Sequence, residues 1–404
     1  IAMNKPLEGI TVIELANYVA GPIVGRIFAD LGARVIKIEG RGSDAWRNTS
    51  ASNTKTDWKE NPLFDLFNVG KESISLNIKT EKGKTILLQL LENADLLITN
   101  IRHHSLVKLG LDYGSLKERY PRLIYATMTG YGYKGPDCNA PGFDNIAFWS
   151  RTGFSADMSI DSPGSYPVNS RYAMGDTIAG TTLFGAIMTA LYKRERMGTG
   201  EFVTLSLLNA GIWAFGGSIV MAETPYKHCF PETRNMGIPM NLAYRCADKE
   251  WIRCTIFEFE RYAYKFFDAL QVRQKMEKLG VSSLDLSMEK SADIVPILEE
   301  SFAKKTSEEW LAIFSELDIV CGKLNHFRDV LTDEQAWAND YFQKYHCSNG
   351  AERILPSCPI RFGEDTAFPI GQPVMYGASN EIVLRKLGYS PEEIKAFSQN
   401  GVLD

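Results

Sequence analysis

The stretch ITVIELANYVAGPIVGRIFADLGARVIKIE (residues 10–39) decides the fold. Two apolar runs, residues 10–14 and 35–39, predict buried strands, and a loop and a helix from Pro22 to Leu31 lie between them. Proline suits the first turn of a helix, where its missing N–H would have no intrahelical partner. A strand, a helix and a second strand of this length are typical of a parallel crossover. The sequence therefore predicts an α/β fold.

Three later segments extend this pattern. LLIT (96–99) follows a helix striped with leucine and isoleucine, LIYATM (123–128) is a continuous apolar run, and EFVTLSL (201–207) follows a long uncharged segment. Short apolar runs of this kind are consistent with buried strands. We expect all of them in one doubly wound, Rossmann-like sheet.

The composition of the chain changes near Ala222. Residues 228–239 are rich in proline, glycine and polar side chains, and WIRCTIF (251–257) and amphipathic helices between Arg261 and Leu317 follow. A chain of 404 residues exceeds the roughly 250 to 300 residues at which single cores stop growing. The sequence therefore predicts a second, smaller α+β domain.

The charge balance and the cysteines exclude several partners. The net charge is −5, so no basic field would attract nucleic acid or an anionic membrane. The seven cysteines include no CxxC pair and no spaced metal cluster. Unpaired thiols fit a reducing compartment. We expect a cytoplasmic protein without a metal site, a nucleic-acid partner or a membrane association.

One carboxylate has an unusual context. In AMGDTIAG (173–180), Asp176 stands directly before an uncharged stretch from Thr177 to Tyr192. Apolar side chains cover nearly every face of this stretch, which predicts a helix that lies in the interior. An aspartate at such a position is either a helix cap or a nucleophile held at the helix N-terminus, and it should face a cleft.

Common catalytic motifs are missing from the sequence. Glu39 ends the second strand, where a dinucleotide-binding domain places the acid that binds ribose. The preceding loop has only Gly21 and Gly25, whereas the G-x-G-x-x-G fingerprint needs three glycines around the pyrophosphate. The Walker pattern, G-x-S-x-G and H-E-x-x-H are also absent. These observations argue against nucleotide, serine-hydrolase and zinc-protease chemistry.

Several cationic and amide side chains follow the predicted strands, and each cation could equally be a solvated surface charge. They are Arg41, Lys79, Asn100, Arg102 and Lys108. A carboxylate can act as a covalent nucleophile toward an activated acyl group. Together with Asp176, this combination indicates thioester chemistry.

A set of short segments, in this order and spacing, covers essentially the whole chain. The segments are PLEGITVIELANYVAGP (6–22), LGARVIKIE (31–39), TNIRHHSLVKLGLDYGSL (99–116), TGYGYKGP (129–136), the Gly-Asp pair at 175–176, TGEFVTLSLL (199–208) and LRKLGYSPEEIKAFSQNGV (384–402). Together they resemble the class III, formyl-CoA transferase type (CaiB/BaiF-like) CoA-transferases. PGFDNIAF (141–148) and DEQAWANDY (333–341) are most similar to the fermentative branch, which moves CoA among 2-hydroxy acids and enoyl acids.

The resemblance implies a domain organisation and an assembly. Residues 1–222 and 331–404 would form the large Rossmann-like, CoA-binding domain, and residues 223–330 would form the small domain. Members of this family are homodimers whose two subunits are threaded through each other like links. We therefore expect an interlinked homodimer.

The resemblance also implies roles for individual residues. The family's nucleophile is the aspartate of the Gly-Asp pair, which is Asp176 here. Implied contacts with coenzyme A are Val19, Ala20, Leu76, Lys79, Asn100 and Lys108. Arg41 lies one residue after the position of the family's adenine-contacting arginine, and Arg102 is followed by two histidines instead of the family's Pro-Gly. Asp144 is a further candidate, either in contact with the acyl or CoA segment or as a helix cap.

The implied reaction moves CoA from an acyl- or enoyl-CoA to a free 2-hydroxy carboxylic acid, such as 2-hydroxyisocaproate or phenyllactate, through an aspartyl covalent intermediate. The CoA thioester is a substrate, and no tightly bound cofactor is needed. One alternative is an isomerase similar to α-methylacyl-CoA racemase, which needs two opposed acid/base groups and carries a histidine where this chain has Phe143. The other is a non-catalytic acyl-CoA-binding protein, against which the Gly-Asp pair argues.

Four aromatic side chains near the implied site have two interpretations. Phe143, Phe148, Trp149 and Phe154 could line an acyl pocket or belong to the core. Because one methylene changes selectivity by only about 1 to 3 kcal/mol, the sequence leaves open whether the acceptor acid is aryl or branched aliphatic.

Overall fold

The computed structural model describes residues 5–54, 61–160, 162–169, 172–226, 228–347, 349–363 and 367–404. Within these ranges, no helix combines the length and the apolar character that a membrane crossing requires.

The predicted α/β fold is confirmed by one parallel sheet. Its six strands among the described residues are β1 (Thr11–Leu15), β2 (Arg34–Glu39), β3 (Glu72–Ser75), β4 (Leu96–Thr99), β5 (Ile124–Thr129) and β6 (Phe202–Ser206). The spatial order is β3-β2-β1-β4-β5-β6, and every pairing is parallel. The apolar runs predicted most of these strands, whereas β3, with the sequence ESIS, gives no such signal.

Helices connect the strands and continue through the rest of the chain. In chain order they are α1 (Pro22–Asp30), α2 (Ala45–Thr54), α3 (Pro62–Asn68), α4 (Glu81–Leu91), α5 (His103–Leu109), α6 (Tyr113–Leu116), α7 (Phe154–Asp157), α8 (Met174–Met197), α9 (Leu207–Ala214), α10 (Gly216–Met221), α11 (Tyr264–Ala269), α12 (Arg273–Lys278), α13 (Leu284–Glu289), α14 (Ser291–Phe302), α15 (Ser307–Glu316), α16 (Phe327–Val330), α17 (Glu334–Ala338), α18 (Asn380–Lys386) and α19 (Pro391–Gln399). A π-helix covers Asp144–Ser150.

Helix α8 corrects one expectation. It begins three residues earlier and ends five residues later than the predicted stretch 177–192. Leu183, Phe184 and Ile187 are buried, but Thr181 and Thr189 lie on an exposed side. The prediction of a helix buried nearly all round is therefore wrong for this chain, because threonine and glycine carry no charge and yet supply little apolar surface.

The chain divides into two compact units. The first consists of Ile1–Gly153, Asn169–Ile219 and Glu334–Asp404, and the second of Phe154–Val168 and Val220–Asp333. These units are defined by packing alone, so the boundaries of the functional domains given above remain a prediction.

The second unit has its own sheet and core. Strands β7 (Ala243–Arg245), β8 (Trp251–Cys254) and β9 (Cys321–Lys323) pair antiparallel in the order β7-β8-β9. A cluster of aromatic rings from α11, α14 and α15 fills its interior, with Phe266 and Phe314 stacked at 5.6 Å between ring centroids. The predicted mixture of strands and helices is confirmed.

The C-terminal segment belongs to the first unit. It contains the antiparallel pair β10 (Phe342–His346) and β11 (Glu352–Pro356), and side chains of α18 and α19 join the core cluster of the parallel sheet. The predicted cap of the last helix is confirmed, because Ser390 and Glu393 form a capping box. A β-bridge between Leu76 and Leu403 brings the end of the chain to the end of β3.

Candidate active site

The carboxyl edge of the parallel sheet collects most of the side chains that the sequence singled out. In a parallel sheet, all strands end at the same edge, and ligands of doubly wound folds bind there. The helix α8 leads into β6, so it runs antiparallel to the strands and begins at this edge. Val19 and Ala20 follow β1, Asn100 follows β4, and Asp176 lies in the first turn of α8.

Asp176 lies against a second carboxylate. Its backbone N–H donates a hydrogen bond of 2.8 Å to Oδ1 of Asp144, a residue 32 positions earlier in the chain. Both residues are 9% exposed. Burial, and in second place the negative charge of Asp144, raise the pKa of Asp176 to about 8. The positive end of α8 favours the ionised form, but burial outweighs it here.

Asp176 is not the cap of its helix. The N-cap of α8 is Ala173, which has a left-handed backbone conformation with φ of 63° and makes no side-chain cap bond. Of the two interpretations of Asp176, the helix cap is therefore wrong. Asp144 itself occupies the first turn of the π-helix Asp144–Ser150, whose N-cap is Phe143.

The residue before Asp176, Gly175, has no space for a side chain. A Cβ at Gly175 would lie 2.3 Å from Oδ1 of Asp144 and 2.5 Å from Cγ of Phe148. Atoms at such distances overlap, so only glycine allows the two carboxylates to approach. The glycine of the Gly-Asp pair is thus required by packing.

The loop after β1 packs beside the start of α8. A Cβ at Gly180 would lie 3.0 Å from the carbonyl oxygen of Ala20, so this loop and the second turn of the helix are in close contact. The loop is also joined to β4, because the Asn100 side chain accepts a hydrogen bond from the backbone N–H of Asn17 and donates one to its carbonyl oxygen. Tyr18 has a left-handed φ of 62°, which is rare for a bulky residue.

A buried ion network underlies this loop, and the sequence analysis missed it. Lys37 is fully buried and bonds Glu14 and Asp44, each at 3.0 Å, and also the carbonyl oxygen of Ala16. Asp44 in turn accepts a 3.0 Å hydrogen bond from the backbone N–H of Tyr18. Through these bonds to Ala16 and Tyr18, the network fixes the conformation of the loop after β1. A signal existed in the sequence, because a charged residue within an apolar buried strand needs a partner.

Glu39 belongs to the same network. It is buried, and it bonds Arg47 through two oxygens at 2.7 and 2.8 Å and Ser73 at 2.7 Å. Burial alone would raise its pKa, but Arg47 and Lys37 lower the pKa of Glu39 to about 2. A buried carboxylate with these partners is not available to bind ribose, which agrees with the absent glycine fingerprint.

The remaining implied CoA contacts lie at or near the same edge in different environments. Leu76 is buried at the end of β3. The cations Lys79, Arg102 and Lys108 are exposed, and Arg41 lies 3.7 Å from the carboxylate of Asp404. Arg41 and Lys79 lie in the loops after β2 and β3, Arg102 is the N-cap of α5, and Lys108 lies in the last turn of α5.

The four aromatic residues lie in three different environments. Phe148 and Trp149 are buried, at 0% and 5% exposure, so they belong to the core. Phe143 is 53% exposed and meets the ring of Tyr18 edge to face, with 5.3 Å between the ring centroids. Phe154 lies in the second unit.

A polar cavity of about 340 Å³ opens near the ends of β5 and β6. Its lining residues are Thr129, Tyr131, Gly132, Tyr133, Lys134, Thr204, Leu205, Ser206 and Asn209. The backbone of this loop packs against the segment before Asp144, since a Cβ at Gly130 would lie 2.9 Å from Cα of Gly142. Among the residues described, no group of three or more His, Cys, Asp or Glu side chains could hold a metal ion.

Comparisons with known proteins agree with this architecture. The model of CoA-transferase family III matches residues 7–379. The (R)-2-hydroxy-4-methylpentanoate CoA-transferase of Clostridioides difficile is 34% identical over 98% of this chain and 99% of the relative. The cinnamoyl-CoA:phenyllactate CoA-transferase of Clostridium sporogenes is 37% identical over 97% and 96%, respectively. Both are named for the kind of acid that the fermentative branch handles.

Solved structures show the same fold. The crystal structure of a CAIB/BAIF family protein from Brucella suis superposes with a TM-score of 0.80 at 24% identity, and it covers 95% of this chain and 100% of that chain. A hypothetical protein from Mycobacterium tuberculosis gives a TM-score of 0.80 over 94% and 99%. Together, the matches define the class of the protein as a CoA-transferase enzyme. The chain belongs to CoA-transferase family III, which confirms the family predicted from its sequence.

Proposed function

We propose that the enzyme moves CoA from an acyl- or enoyl-CoA to a free 2-hydroxy carboxylic acid, with Asp176 as the covalent nucleophile. The observation that supports this proposal is the placement of Asp176, a buried carboxylate in the first turn of α8 beside Asp144. Relatives at 34% and 37% identity are named for 2-hydroxy-4-methylpentanoate and phenyllactate. The comparisons favour neither the racemase nor the binding-protein alternative.

Each step of the proposed reaction exchanges one bond for another of similar energy. The Asp176 carboxylate attacks the thioester carbonyl of the donor, the C–S bond breaks, and a mixed anhydride and CoA thiolate form. The thiolate attacks the aspartyl carbonyl and releases the donor acid, which leaves an aspartyl-CoA thioester. The acceptor carboxylate repeats the two steps in reverse order, so CoA leaves on the acceptor and Asp176 is free again.

The nucleophile must be ionised when it attacks. With a pKa of about 8, roughly a tenth of the Asp176 side chains carry the charge at pH 7. A desolvated carboxylate is also a stronger nucleophile than a hydrated one, because no water shell has to be removed at the moment of attack. The buried pair thus lowers the population of the reactive form and raises its reactivity.

The CoA moiety is proposed to lie along the carboxyl edge of the sheet. Val19, Ala20 and Asn100 would contact it near the thioester, and the exposed cations Lys79, Arg102, Lys108 and Arg41 would contact its phosphates. CoA is bound as a substrate in this scheme, without a tightly held cofactor. We also propose the domain division at 222/223 and 330/331 and an interlinked homodimer, on the strength of the family resemblance.

Intact-protein mass spectrometry tests the covalent step. We expect brief incubation with an acyl-CoA, followed by borohydride or hydroxylamine and peptide mapping, to change the mass of the peptide that carries Asp176. Asp176→Asn should form no adduct and should not transfer CoA. Asp293→Asn is a matched control, because Asp293 is an exposed aspartate in the first turn of α14. An adduct-free wild-type enzyme with several thioesters, or normal turnover by Asp176→Asn, would contradict the proposal.

A further inference from the structure

Two exposed aromatic rings meet next to the carboxylate pair. Tyr18 is 36% exposed and Phe143 is 53% exposed, and their rings form an edge-to-face contact with 5.3 Å between centroids and 83° between planes. This arrangement contributes about 0.5 to 1.5 kcal/mol beyond the burial of area. Large aromatic residues that stay half exposed gain little from the core, so their position calls for another reason.

Both rings are carried by segments that flank Asp176. Phe143 directly precedes Asp144, whose side chain accepts the hydrogen bond from the Asp176 N–H. Tyr18 lies two residues before Ala20, whose carbonyl oxygen packs against Gly180 in the second turn of α8. The aromatic pair therefore joins the loop after β1 to the start of the π-helix.

The protein holds the two rings in place through buried contacts. Tyr18 has the left-handed φ of 62°, a conformation that costs of order 1 to 3 kcal/mol and is found mainly at functional sites. The buried carboxylate of Asp44 fixes this conformation through the Tyr18 N–H at 3.0 Å. On the other side, the carbonyl oxygen of Phe143 accepts hydrogen bonds from Ile146 and Ala147. The rings are thus positioned before any substrate binds.

The chemistry around the rings selects for an uncharged ligand group. Within the described part of the chain, no lysine or arginine forms a cation–π contact with either ring. The charged group that bonds this pair directly is the carboxylate of Asp44, which accepts from the Tyr18 N–H and is itself paired with the buried Lys37. A second carboxylate on a substrate would lose part of its hydration against these two rings.

We propose that Tyr18 and Phe143 form the recognition surface for the side group of the transferred acid, and that they select monocarboxylic acids with an aryl or branched alkyl group over dicarboxylic acids. The inference rests on the proposed function and adds the determinants of its substrate class. The two rings should bind an aryl group best, because contacts between aromatic rings contribute free energy beyond that of burying apolar area.

Acceptor discrimination by leucine variants tests this inference. With one donor acyl-CoA throughout, kcat/KM is measured for phenyllactate, 2-hydroxy-4-methylpentanoate and glutarate. Leucine keeps apolar volume and removes the ring, so Phe143→Leu and Tyr18→Leu should each lower the phenyllactate to 2-hydroxy-4-methylpentanoate ratio about three- to tenfold. Phe143→Arg should raise transfer to glutarate above the wild-type level.

A matched control separates this role from a general effect of exposed rings. Phe362 is 47% exposed and contacts Phe368 with 6.4 Å between ring centroids, so Phe362→Leu should leave every ratio unchanged. The leucine variants should still form the Asp176 adduct with the donor, which shows that folding and the proposed chemistry are intact.

Two results would overturn the inference while the proposed function stands. One is an active wild-type enzyme that uses glutarate as well as phenyllactate, and the other is an unchanged ratio in both leucine variants that still form the adduct. A wild-type enzyme that transfers CoA to none of these acids would overturn the proposed function itself, and the inference with it.

Discussion

At the scale of single residues, the pair Asp144 and Asp176 predicts a pH dependence for the proposed reaction. Burial first, and the charge of Asp144 second, raise the pKa of Asp176 to about 8. Because the ionised form is the proposed nucleophile, kcat/KM for the acyl-CoA should increase about tenfold per pH unit below a midpoint near 8 and level off above it. A pH–rate profile of the wild-type enzyme measures this directly.

Asp144→Asn separates the two causes of the raised pKa. The amide oxygen of asparagine still accepts the hydrogen bond from the Asp176 N–H, but the negative charge is gone. The midpoint should therefore move to lower pH, while burial keeps it above the ordinary value of an aspartate, 3.8. Asp137→Asn, a change at an exposed carboxylate paired with Arg151, should leave the midpoint unchanged. A midpoint that stays near 8 in Asp144→Asn would contradict the assigned cause.

The same shift predicts a change in stability. The pKa of Asp176 is higher in the folded chain than in the unfolded chain, so protonation of Asp176 favours the folded state. This stabilisation is fully present below about pH 4, and it is lost as the pH rises toward about 8. Asp176→Asn cannot ionise, so its free energy of unfolding should exceed that of the wild type by an amount that grows with pH. The upper bound is about 1.4 kcal/mol per pH unit across this window.

Denaturant unfolding at pH 5, 7 and 9 checks this prediction, with Asp293→Asn as the variant that should follow the wild type. A constant difference between Asp176→Asn and the wild type at all three pH values would contradict it. The expected result is a trade-off, in which the proposed nucleophile lowers stability at neutral pH.

At the scale of secondary structure elements, the central strands were predictable and their electrostatics were not. β4 and β5 read as apolar runs because parallel strands are covered on both faces. The ion network of β1 and β2 was missed although Glu14 and Lys37 interrupt those runs. Their presence in the sequence indicates buried charges, but the partner Asp44 lies in a loop and was identified only by the folded chain.

The candidate site shows the same limit. The Gly-Asp pair is visible in the sequence, and its place at the start of a helix was predicted. The contact of Asp176 with Asp144 depends on the packing of two segments 32 residues apart, which no local pattern encodes. The exposed side of α8 was mispredicted because an uncharged stretch was equated with a buried one.

The buried network should contribute strongly to stability. Lys37 is fully buried between Glu14 and Asp44. Lys37→Met leaves the buried Asp44 without its cation, whereas Glu14 keeps the buried Lys71 at 2.7 Å, and the change should cost about 3 to 5 kcal/mol. Arg119→Met removes an exposed pair with Glu92 at 2.9 Å and should cost less than about 1 kcal/mol. Denaturant unfolding of the two variants measures the difference, and similar losses would show that burial does not govern the network.

At the scale of the whole molecule, the exposed apolar surface favours association of two chains. On α9, Trp213 is 85% exposed and its neighbour Ile212 is also exposed. Aromatic side chains of this kind are enriched at protein interfaces. We expect sedimentation velocity to give a species of twice the mass of one chain. Because interlinked subunits separate only by unfolding, Trp213→Asp should lower the fraction of dimer that forms on refolding, by placing a charge in the contact.

Trp213→Phe serves as the control for this prediction, since it keeps an aromatic ring and should keep the dimer. A wild-type enzyme that sediments as a monomer at all concentrations would contradict the proposed assembly. A dimer unaffected by Trp213→Asp would place the interface elsewhere on the chain.

The crowded position of Gly175 has a consequence for how the protein can evolve. Since a single methyl group there would overlap Asp144 and Phe148, no one-step substitution at this position is neutral. A lineage could accept alanine only after both neighbours had become smaller, and the first of those changes already removes a carboxylate or a core ring. Thr181 and Thr189 on the exposed side of the same helix face no such order of events. In α8, packing therefore restricts the sequence of the first turn, whereas residues on the exposed side can be replaced singly.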